Sequence, residues 1–247
     1  MLKNGAVKVG LILLLAFLIT SIGLNIYLYR QGRAYYLALN STRLDPLGVN
    51  SYFVEPSQLP ADKPLAVFFG DSRAADWVPP TEMSEMVFVN RGIGAQTTSQ
   101  VLARFPVHIL PLDADVIVIQ VGVNDLKTIP LFPEQKEVII ANCKANIQEI
   151  VDLSVQSGTR VVLTTIFPLG RLPLERRPFW SDEVGVAIDD VNSFITTMES
   201  EQVKILDTGK YLANSDGITN TSYSRDFLHL NDEGYAVLNR ELVKILR

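Results

Sequence analysis

The sequence predicts an α/β domain, a three-layer sandwich around a parallel sheet, which follows one apolar N-terminal helix. From Leu65 onward, short β-branched or aromatic runs alternate with longer segments of helical spacing. The run from Val116 to Ile119 is apolar throughout, as expected for a strand that helices cover on both faces. Strands that alternate with helices favour parallel pairing through right-handed crossovers, with helices on both sides of the sheet.

Five short runs account for the predicted strands. They are residues 65–69, 86–90, 116–121, 160–166 and 203–206. Other helices are predicted at about residues 99–110, 182–200 and 233–246. The clearest helix places five apolar side chains on one face, and these are Ile140, Cys143, Ile147, Ile150 and Val151.

The N-terminal segment is predicted to be a membrane anchor. Residues 9–29 contain no charged side chain and are long enough to span about 30 Å of hydrocarbon as a helix. We therefore expect a short tail over residues 1–8, a transmembrane signal anchor over 9–29, a tether over 30–63 and a domain over 64–247.

A cleaved signal peptide is the alternative interpretation of this segment. Ser21-Ile22-Gly23 has the small-x-small form that signal peptidases accept. The apolar run continues from Leu24 to Tyr29, which favours an uncleaved anchor. Lys3 and Lys8 precede the run and favour a cytoplasmic N-terminus, with the domain on the extracytoplasmic side. Basic residues also follow the run, so this bias is small.

Composition excludes several classes of function. Residues 63–247 carry 17 basic and 24 acidic side chains, so the domain has no broad attraction to nucleic acid or to anionic lipid headgroups. Cys143 is the single cysteine of the sequence, which rules out an intrachain disulfide and argues against a cysteine-based zinc site. We interpret it as a small core residue, and we expect no metal or other cofactor.

Polar motifs follow the predicted strands. In parallel α/β sheets, functional groups gather outside the carboxyl ends of the strands. Gly70-Asp71-Ser72-Arg73, residues 90–97 and Gly122-Val123-Asn124-Asp125 follow the first three strands, and residues 226–231 lie near the C-terminus. A dinucleotide fingerprint in the second block fails, because Thr97 stands where the third glycine is required.

These motifs contain the groups that acyl transfer needs. A serine hydroxyl becomes a good nucleophile when a base takes its proton, and the sequence has two histidines. His229 has Asp226 three residues earlier, close enough to fix the imidazole tautomer, whereas His108 lacks such a neighbour and is interpreted as structural. The developing oxyanion needs preorganised donors. Candidate donors are the Ser72 backbone N–H, an N–H of residues 92–95 and the Asn124 amide.

The four motifs, in this order and spacing, resemble the conserved blocks of the GDSL, or SGNH, hydrolases over residues 64–247. The resemblance implies a flavodoxin-like sandwich with a five-stranded parallel sheet in the order 2-1-3-4-5. It also implies a nucleophile at Ser72, an oxyanion donor at Asn124, an orienting carboxylate at Asp226 and a base at His229. The supporting residues of the motifs are Asp71, Gly122 and Asp125.

Two positions depart from the family pattern. The family's oxyanion glycine corresponds to Ala95, where an alanine costs energy if the loop requires a positive φ. The second backbone donor is therefore Ala95 or Gly94. Arg73 follows the nucleophile where the family often has a small or apolar residue, and it either pairs with a carboxylate or faces the substrate.

The resemblance implies a metal-free serine hydrolase that cleaves a small-molecule, glycan or lipid ester, or a thioester. An O-acyltransferase would use the same residues, and no sequence feature separates the two activities. A non-catalytic binding module on a decayed hydrolase fold is the alternative from another class. The intact set of Ser72, Asn124, Asp226 and His229 argues against it.

Two long apolar connections are predicted to form the substrate pocket. They are residues 126–134 and 168–181, which leave the sheet at the catalytic edge. Either their apolar residues simply close the core, or they line an acyl or sugar-ring site next to arginines that face an anionic group. The lining residues expected in the second case are Leu131, Phe132, Arg176, Arg177, Phe179 and Trp180.

Overall fold

A computed structural model of the protein describes residues 2–52, 59–60 and 62–247. The chain forms two compact units, Met1–Pro46 and Leu47–Arg247. The part of the predicted tether at residues 53–58 and 61 lies outside the described residues.

The first unit is one long helix. Helix α1 spans Leu2–Leu44 and therefore continues well into the segment expected to be a tether. No proline interrupts the chain before Pro46, so nothing in the sequence stops the helix earlier. Within the described residues, Gly5–Leu44 is the one helix long and apolar enough to cross a membrane, a test that an anchor and a signal sequence both satisfy.

Polar side chains inside this helix bond to its own backbone. Thr20 Oγ1 donates to the Ala16 carbonyl at 2.9 Å, and Asn25 Nδ2 donates to the Ser21 carbonyl at 2.8 Å. These local bonds satisfy donors that would otherwise be costly in an apolar environment.

The second unit is the predicted α/β sandwich. Its sheet has five strands, all parallel, in the order β2-β1-β3-β4-β5. The strands are β1 Leu65–Gly70, β2 Val87–Gly92, β3 Val116–Gln120, β4 Arg160–Thr164 and β5 Val203–Leu206. Gly70 is in register with both Gly92 and Gln120, so the segments after β1, β2 and β3 leave the sheet side by side.

Helices and short turns connect the strands. The helices are α2 Ser72–Ala75, α3 Thr98–Ala103, α4 Phe105–His108, α5 Val123–Leu126, α6 Lys136–Gln156, α7 Glu183–Thr196, α8 Gly209–Leu212 and α9 Asp232–Leu246. The helix predicted at about 99–110 is divided into α3 and α4, because the helical pattern is interrupted at Arg104, with φ −95° and ψ 0°. Pro106 lies in the first turn of α4, where its missing N–H is tolerated.

Each face of the sheet carries its own core. Phe69, Ile117 and Leu163 belong to one cluster, which α3, α6 and α7 cover. Phe68 and Val118 point to the opposite face, where Trp77 and the apolar stripe of α9 cover them. Alternate residues of one strand thus enter different cores, which explains the continuous apolar runs in the sequence.

Residues 47–52 belong to this second unit by their contacts. Gln96 Nε2 donates to the Leu47 carbonyl at 2.8 Å, and His108 Nε2 lies 3.1 Å from the Val49 carbonyl. The Tyr52 hydroxyl bonds to the Gly92 carbonyl, and the Arg91 guanidinium carbon lies 4.8 Å from the centre of the Tyr52 ring. The middle of the expected tether, residues 47–52, is therefore tied to β2, to the loop after it and to α4.

Candidate active site

Ser72 lies on a sharp turn between β1 and α2. Gly70 has φ +151°, and a Cβ there would lie 1.7 Å from the Gln120 carbonyl oxygen, so the turn requires glycine. Asp71 caps α2 by accepting a hydrogen bond from the Arg73 backbone N–H at 2.9 Å. This arrangement fixes Ser72 as the first helical residue beyond the carboxyl end of the strand.

Ser72, His229 and Asp226 form a connected set. Ser72 Oγ lies 3.0 Å from His229 Nε2. On the other side of the ring, His229 Nδ1 lies 2.9 Å from Asp226 Oδ2 and 3.1 Å from Oδ1. One imidazole can therefore accept the serine proton through Nε2 while its Nδ1–H donates to the carboxylate.

A tight turn presents the Asp226 carboxylate to the ring. Asp226 Oδ1 accepts the backbone N–H groups of Leu228 at 2.7 Å and His229 at 2.8 Å. Burial raises the pKa of Asp226, but these backbone bonds and the bond from the His229 side chain lower it more, so its pKa lies below the ordinary value. The carboxylate stays ionised over the range in which an imidazole titrates.

Asn124 reaches the same edge of the sheet from α5. Its Nδ2 donates to the Gln96 carbonyl at 2.9 Å, which uses one of the two amide hydrogens. Lys127 Nζ donates to Asn124 Oδ1 at 2.5 Å. The amide is thus held from both ends, with one N–H left for an oxyanion.

The loop after β2 passes directly beside Ser72. A Cβ on Gly94 would lie 3.9 Å from Ser72 Cβ. The next residue, Ala95, has φ +63°, a left-handed conformation that an alanine adopts at a cost. The loop therefore keeps the geometry for which related sequences use glycine, and both Gly94 and Ala95 remain candidates for the second backbone donor.

Two residues that the sequence did not single out support this loop. Arg104 is buried, and its guanidinium donates to Gln96 Oε1 at 2.5 Å and to the Arg91 and Gly70 carbonyls at 2.8 Å. Gln96 also bonds to Leu47 and accepts from Asn124. Burial lowers the pKa of Arg104 to about 10, which leaves it charged at neutral pH.

Asp125, a supporting residue of the third motif, holds the start of α3. The Asp125 carboxylate is buried and accepts from the Thr98 hydroxyl at 2.6 Å and from its backbone N–H at 2.9 Å. Gly122 has φ +121°, and a Cβ there would lie 2.7 Å from Ile166 Cδ1. Asp125 thus ties the Asn124 turn to the helix that follows the Gly94 loop.

The structure decides the question about Arg73, which is buried and does not face a cavity near the nucleophile. Its Nε donates to the Leu228 carbonyl at 2.8 Å, and its Nη1 donates to the Phe167 carbonyl at 3.2 Å. The guanidinium carbon lies 5.1 Å from the centre of the Phe167 ring. Arg73 therefore joins the serine turn to the residue that precedes His229.

Asp71 is a buried carboxyl beside this arginine. Burial raises its pKa to about 6, although the nearby Arg73 charge and the Arg73 backbone N–H both act to lower it. The side chain has no exposed surface, so the loss of its hydration is the largest influence on its ionisation.

A cavity of about 320 Å³ opens beside His229 and Asp226. Of the expected lining residues, it includes Leu131, Arg176, Phe179 and Trp180, but it does not include Phe132 or Arg177. The remaining lining residues are Lys127, Thr128, Phe227 and Leu228. The connection over 168–181 forms a 3₁₀ turn at Leu174–Phe179, which presents Arg176 and Phe179 to the cavity while Arg177 points elsewhere.

Two other residues considered in the sequence lie in the interior. His108 is buried, and its Nδ1 lies 3.1 Å from Arg104 Nη1, an environment that fits a structural role. Cys143 is buried on α6. Among the residues that the structure describes, no group of histidine, cysteine and acidic side chains is placed to hold a metal ion.

Known protein families and solved structures were compared with this chain. The sequence profile of the GDSL-like Lipase/Acylhydrolase family matches residues 66–237. No curated protein matches the chain.

Solved structures show the same fold. A GDSL-like lipase from Bacteroides thetaiotaomicron superposes with a TM-score of 0.64 at 18% identity, over 81% of this chain and 97% of that one. A lipase/acylhydrolase from Enterococcus faecalis gives 0.56 at 20% identity, over 74% and 95%. An acetyl xylan esterase gives 0.59 at 20% identity, over 74% and 100%.

Proposed function

The chain belongs to the GDSL-like lipase/acylhydrolase family, and from this premise we propose that it is a membrane-anchored serine hydrolase of carboxylic esters or thioesters. The observation that carries the proposal is the continuous path of contacts from Ser72 Oγ through the His229 ring to the Asp226 carboxylate. The set lies beside a cavity, so a substrate can reach it.

Acylation begins when Ser72 Oγ attacks the ester carbonyl carbon while His229 Nε2 accepts the hydroxyl proton. The carbonyl oxygen becomes an oxyanion and accepts hydrogen bonds from the free Asn124 N–H, the Ser72 backbone N–H and an N–H of Gly94 or Ala95. The bond to the leaving alcohol or thiol then breaks, and His229 returns the proton to it.

Deacylation repeats these steps with water as the nucleophile. His229 takes a proton from water, the hydroxide adds to the acyl-serine, and Ser72 leaves with the proton that His229 returns. Asp226 remains ionised throughout and stabilises the imidazolium that forms in each half-reaction. If an alcohol replaces water in this step, the same residues produce acyl transfer.

The test is an acyl-serine trap. We expect a fluorophosphonate to label the wild type at Ser72 and to block hydrolysis of nitrophenyl esters, whereas Ser72→Ala removes both label and turnover. Label that persists in Ser72→Ala would sink the assignment. Assays with acetylated sugars, lysophospholipids and an added alcohol acceptor define the ester and separate hydrolysis from transfer.

The membrane part of the proposal rests on α1. Its residues 9–29 carry no charge, and their apolar side chains are exposed along the helix. We propose an uncleaved anchor with the hydrolase unit on the extracytoplasmic side. The full-length protein should resist carbonate extraction from membranes, and a mature protein that begins near Leu24 would show a cleaved signal instead.

A further inference from the structure

We infer that the cavity beside His229 binds a negatively charged carboxylate or phosphate group of the substrate through Arg176 and Lys127. This inference rests on the proposed hydrolase function and names the class of ester that the site prefers.

The shape of the cavity places such a group next to the reacting bond. Asp226 and His229 line it together with the aromatic and aliphatic side chains of Leu131, Phe179 and Trp180. Its volume of about 320 Å³ is at the lower end of the range for small-molecule sites. A short acyl chain or a compact alcohol therefore fills it when the carbonyl lies at Ser72.

The charges that face the cavity are unbalanced. Lys127 and Arg176 line it, and neither forms an ion pair with any carboxylate in the described part of the chain. Asp226 also lines it, but its oxygens are already bonded to His229 and to two backbone N–H groups. Two positive charges and the one negative charge of Asp226 thus face one small cavity, and a bound anion would compensate the excess positive charge.

The two cations also influence each other. The pKa of Lys127 lies below its ordinary value, first because the side chain is partly buried and also because the Arg176 charge opposes protonation. The Arg73 charge opposes protonation of Lys127 as well, whereas the Asp71 and Asp125 charges favour it. A bound anion between Lys127 and Arg176 relieves the repulsion.

Aromatic rings hold the arginine in place. The Arg176 guanidinium carbon lies 5.8 Å from the centre of the Phe227 ring, which in turn packs edge-on against Trp180 at 5.2 Å. A guanidinium that stacks on a ring keeps its planar set of donors free for a bidentate carboxylate or phosphate. Phe227 lies between Asp226 and Leu228 in the turn that holds His229, so the arginine and the base line the same cavity.

The test measures binding separately from turnover. Trp180 lines the cavity and is one of two tryptophans, so its fluorescence reports occupancy. The full-length Ser72→Ala protein in a neutral detergent is titrated with monomethyl glutarate, with methyl pentanoate as the uncharged ester of matched length, and with inorganic phosphate. Trp180→Phe in the same protein identifies the signal.

We expect monomethyl glutarate to bind at least about tenfold more tightly than methyl pentanoate, the effect of one charge-assisted bidentate contact. In the Ser72→Ala protein, a further Arg176→Gln substitution should remove this preference, and Arg176→Lys should keep part of it. Arg177→Gln, on the same turn, is the control and should leave the preference unchanged. Phosphate that competes with monomethyl glutarate shows a site for both anions, and a lack of competition restricts the site to carboxylates.

The outcomes separate the two proposals. Equal binding of the charged and neutral esters, no binding of either, or equal losses in Arg176→Gln and Arg177→Gln overturn the anion site. Hydrolysis of a neutral nitrophenyl ester by the wild type supports the hydrolase whatever the anion result. Anion binding without hydrolysis of any ester supports the cavity site and contradicts the hydrolase.

Discussion

Lys127 donates a 2.5 Å hydrogen bond to the side-chain carbonyl oxygen of Asn124 and so places a positive charge at the oxygen end of that amide. An ammonium at the carbonyl end draws electron density from the amide and strengthens its N–H donors. The same contact prevents the amide from turning its oxygen toward the developing oxyanion. If Asn124 is the proposed oxyanion donor, Lys127 acts as its positioning residue.

Lys127→Met should lower kcat for a neutral ester by about 10- to 100-fold, the value of a charged hydrogen bond, with little change in KM. Lys127→Arg should retain most of the activity. The pH profile gives a readout that a structural role would not. Because the protonated form is the active one and burial lowers its pKa, wild-type kcat should fall at alkaline pH below the usual lysine range. Persistence of that fall in Lys127→Met would contradict the role.

Asp226→Asn should reduce kcat by up to about 10⁴, as in other triads where the carboxylate fixes the tautomer. Asparagine can still accept the backbone N–H groups of Leu228 and His229 through its oxygen, so the turn should survive. Its NH₂ group then faces His229 Nδ1 and favours the tautomer with a proton on Nε2. Asp232→Asn, at an exposed position at the start of α9, is the control and should behave as wild type. Normal turnover in Asp226→Asn would remove Asp226 from the mechanism.

Asp71 should make the free energy of unfolding depend on pH. Its folded pKa of about 6 lies above the unfolded value, so the native state holds the extra proton between about pH 4 and 6. Its contribution to stability is therefore present at low pH and is lost as pH rises through 6, by about 3 kcal/mol. Denaturant titrations of wild type and Asp71→Asn at pH 4, 5, 6 and 7 measure this directly. A wild-type advantage that stays constant or grows with pH contradicts the prediction.

Truncation should show that residues 47–52 support the active site. A fragment over residues 47–247 keeps the bonds of Gln96 to Leu47, of His108 to Val49 and of Tyr52 to Gly92, and a fragment over 64–247 loses all three. We expect the shorter fragment to be less stable by about 3 kcal/mol, since each lost bond contributes roughly 1 kcal/mol. Its kcat should fall too, because Gln96 also holds Asn124. Equal stability and equal kcat of the two fragments would show that residues 47–52 are only a linker.

The fold could be predicted because its signal is local. Continuous apolar strands, helical spacing and the polar residues after each strand are all visible within short windows of sequence. The extents of two helices have local causes as well, since Pro106 lies in the first turn of α4 and α1 meets no proline before Pro46.

The site was only partly predictable, because its motifs name the reacting groups and not their supports. Gln96, Arg104 and Lys127 act through contacts with residues on other loops, and nothing in their immediate sequence shows this. The role of Arg73 could not be decided from the sequence for the same reason, since its partners are backbone carbonyls far along the chain. Which of Arg176 and Arg177 faces the cavity depends on the 3₁₀ turn that carries them.

Cys143 gives the domain an internal reporter of local opening. It is the single thiol of the sequence, it is buried, and its Sγ lies 3.4 Å from where a Cβ on Gly122 would be, at the base of the turn that carries Asn124. An alkylating reagent can reach it when α6 separates from that turn or when the domain unfolds. The rate of alkylation therefore reports how often the turn that carries Asn124 opens. Slower alkylation with an inhibitor bound would measure how far the inhibitor reduces this local opening. In Cys143→Ser, any cysteine introduced on the surface becomes the unique point of attachment for a probe.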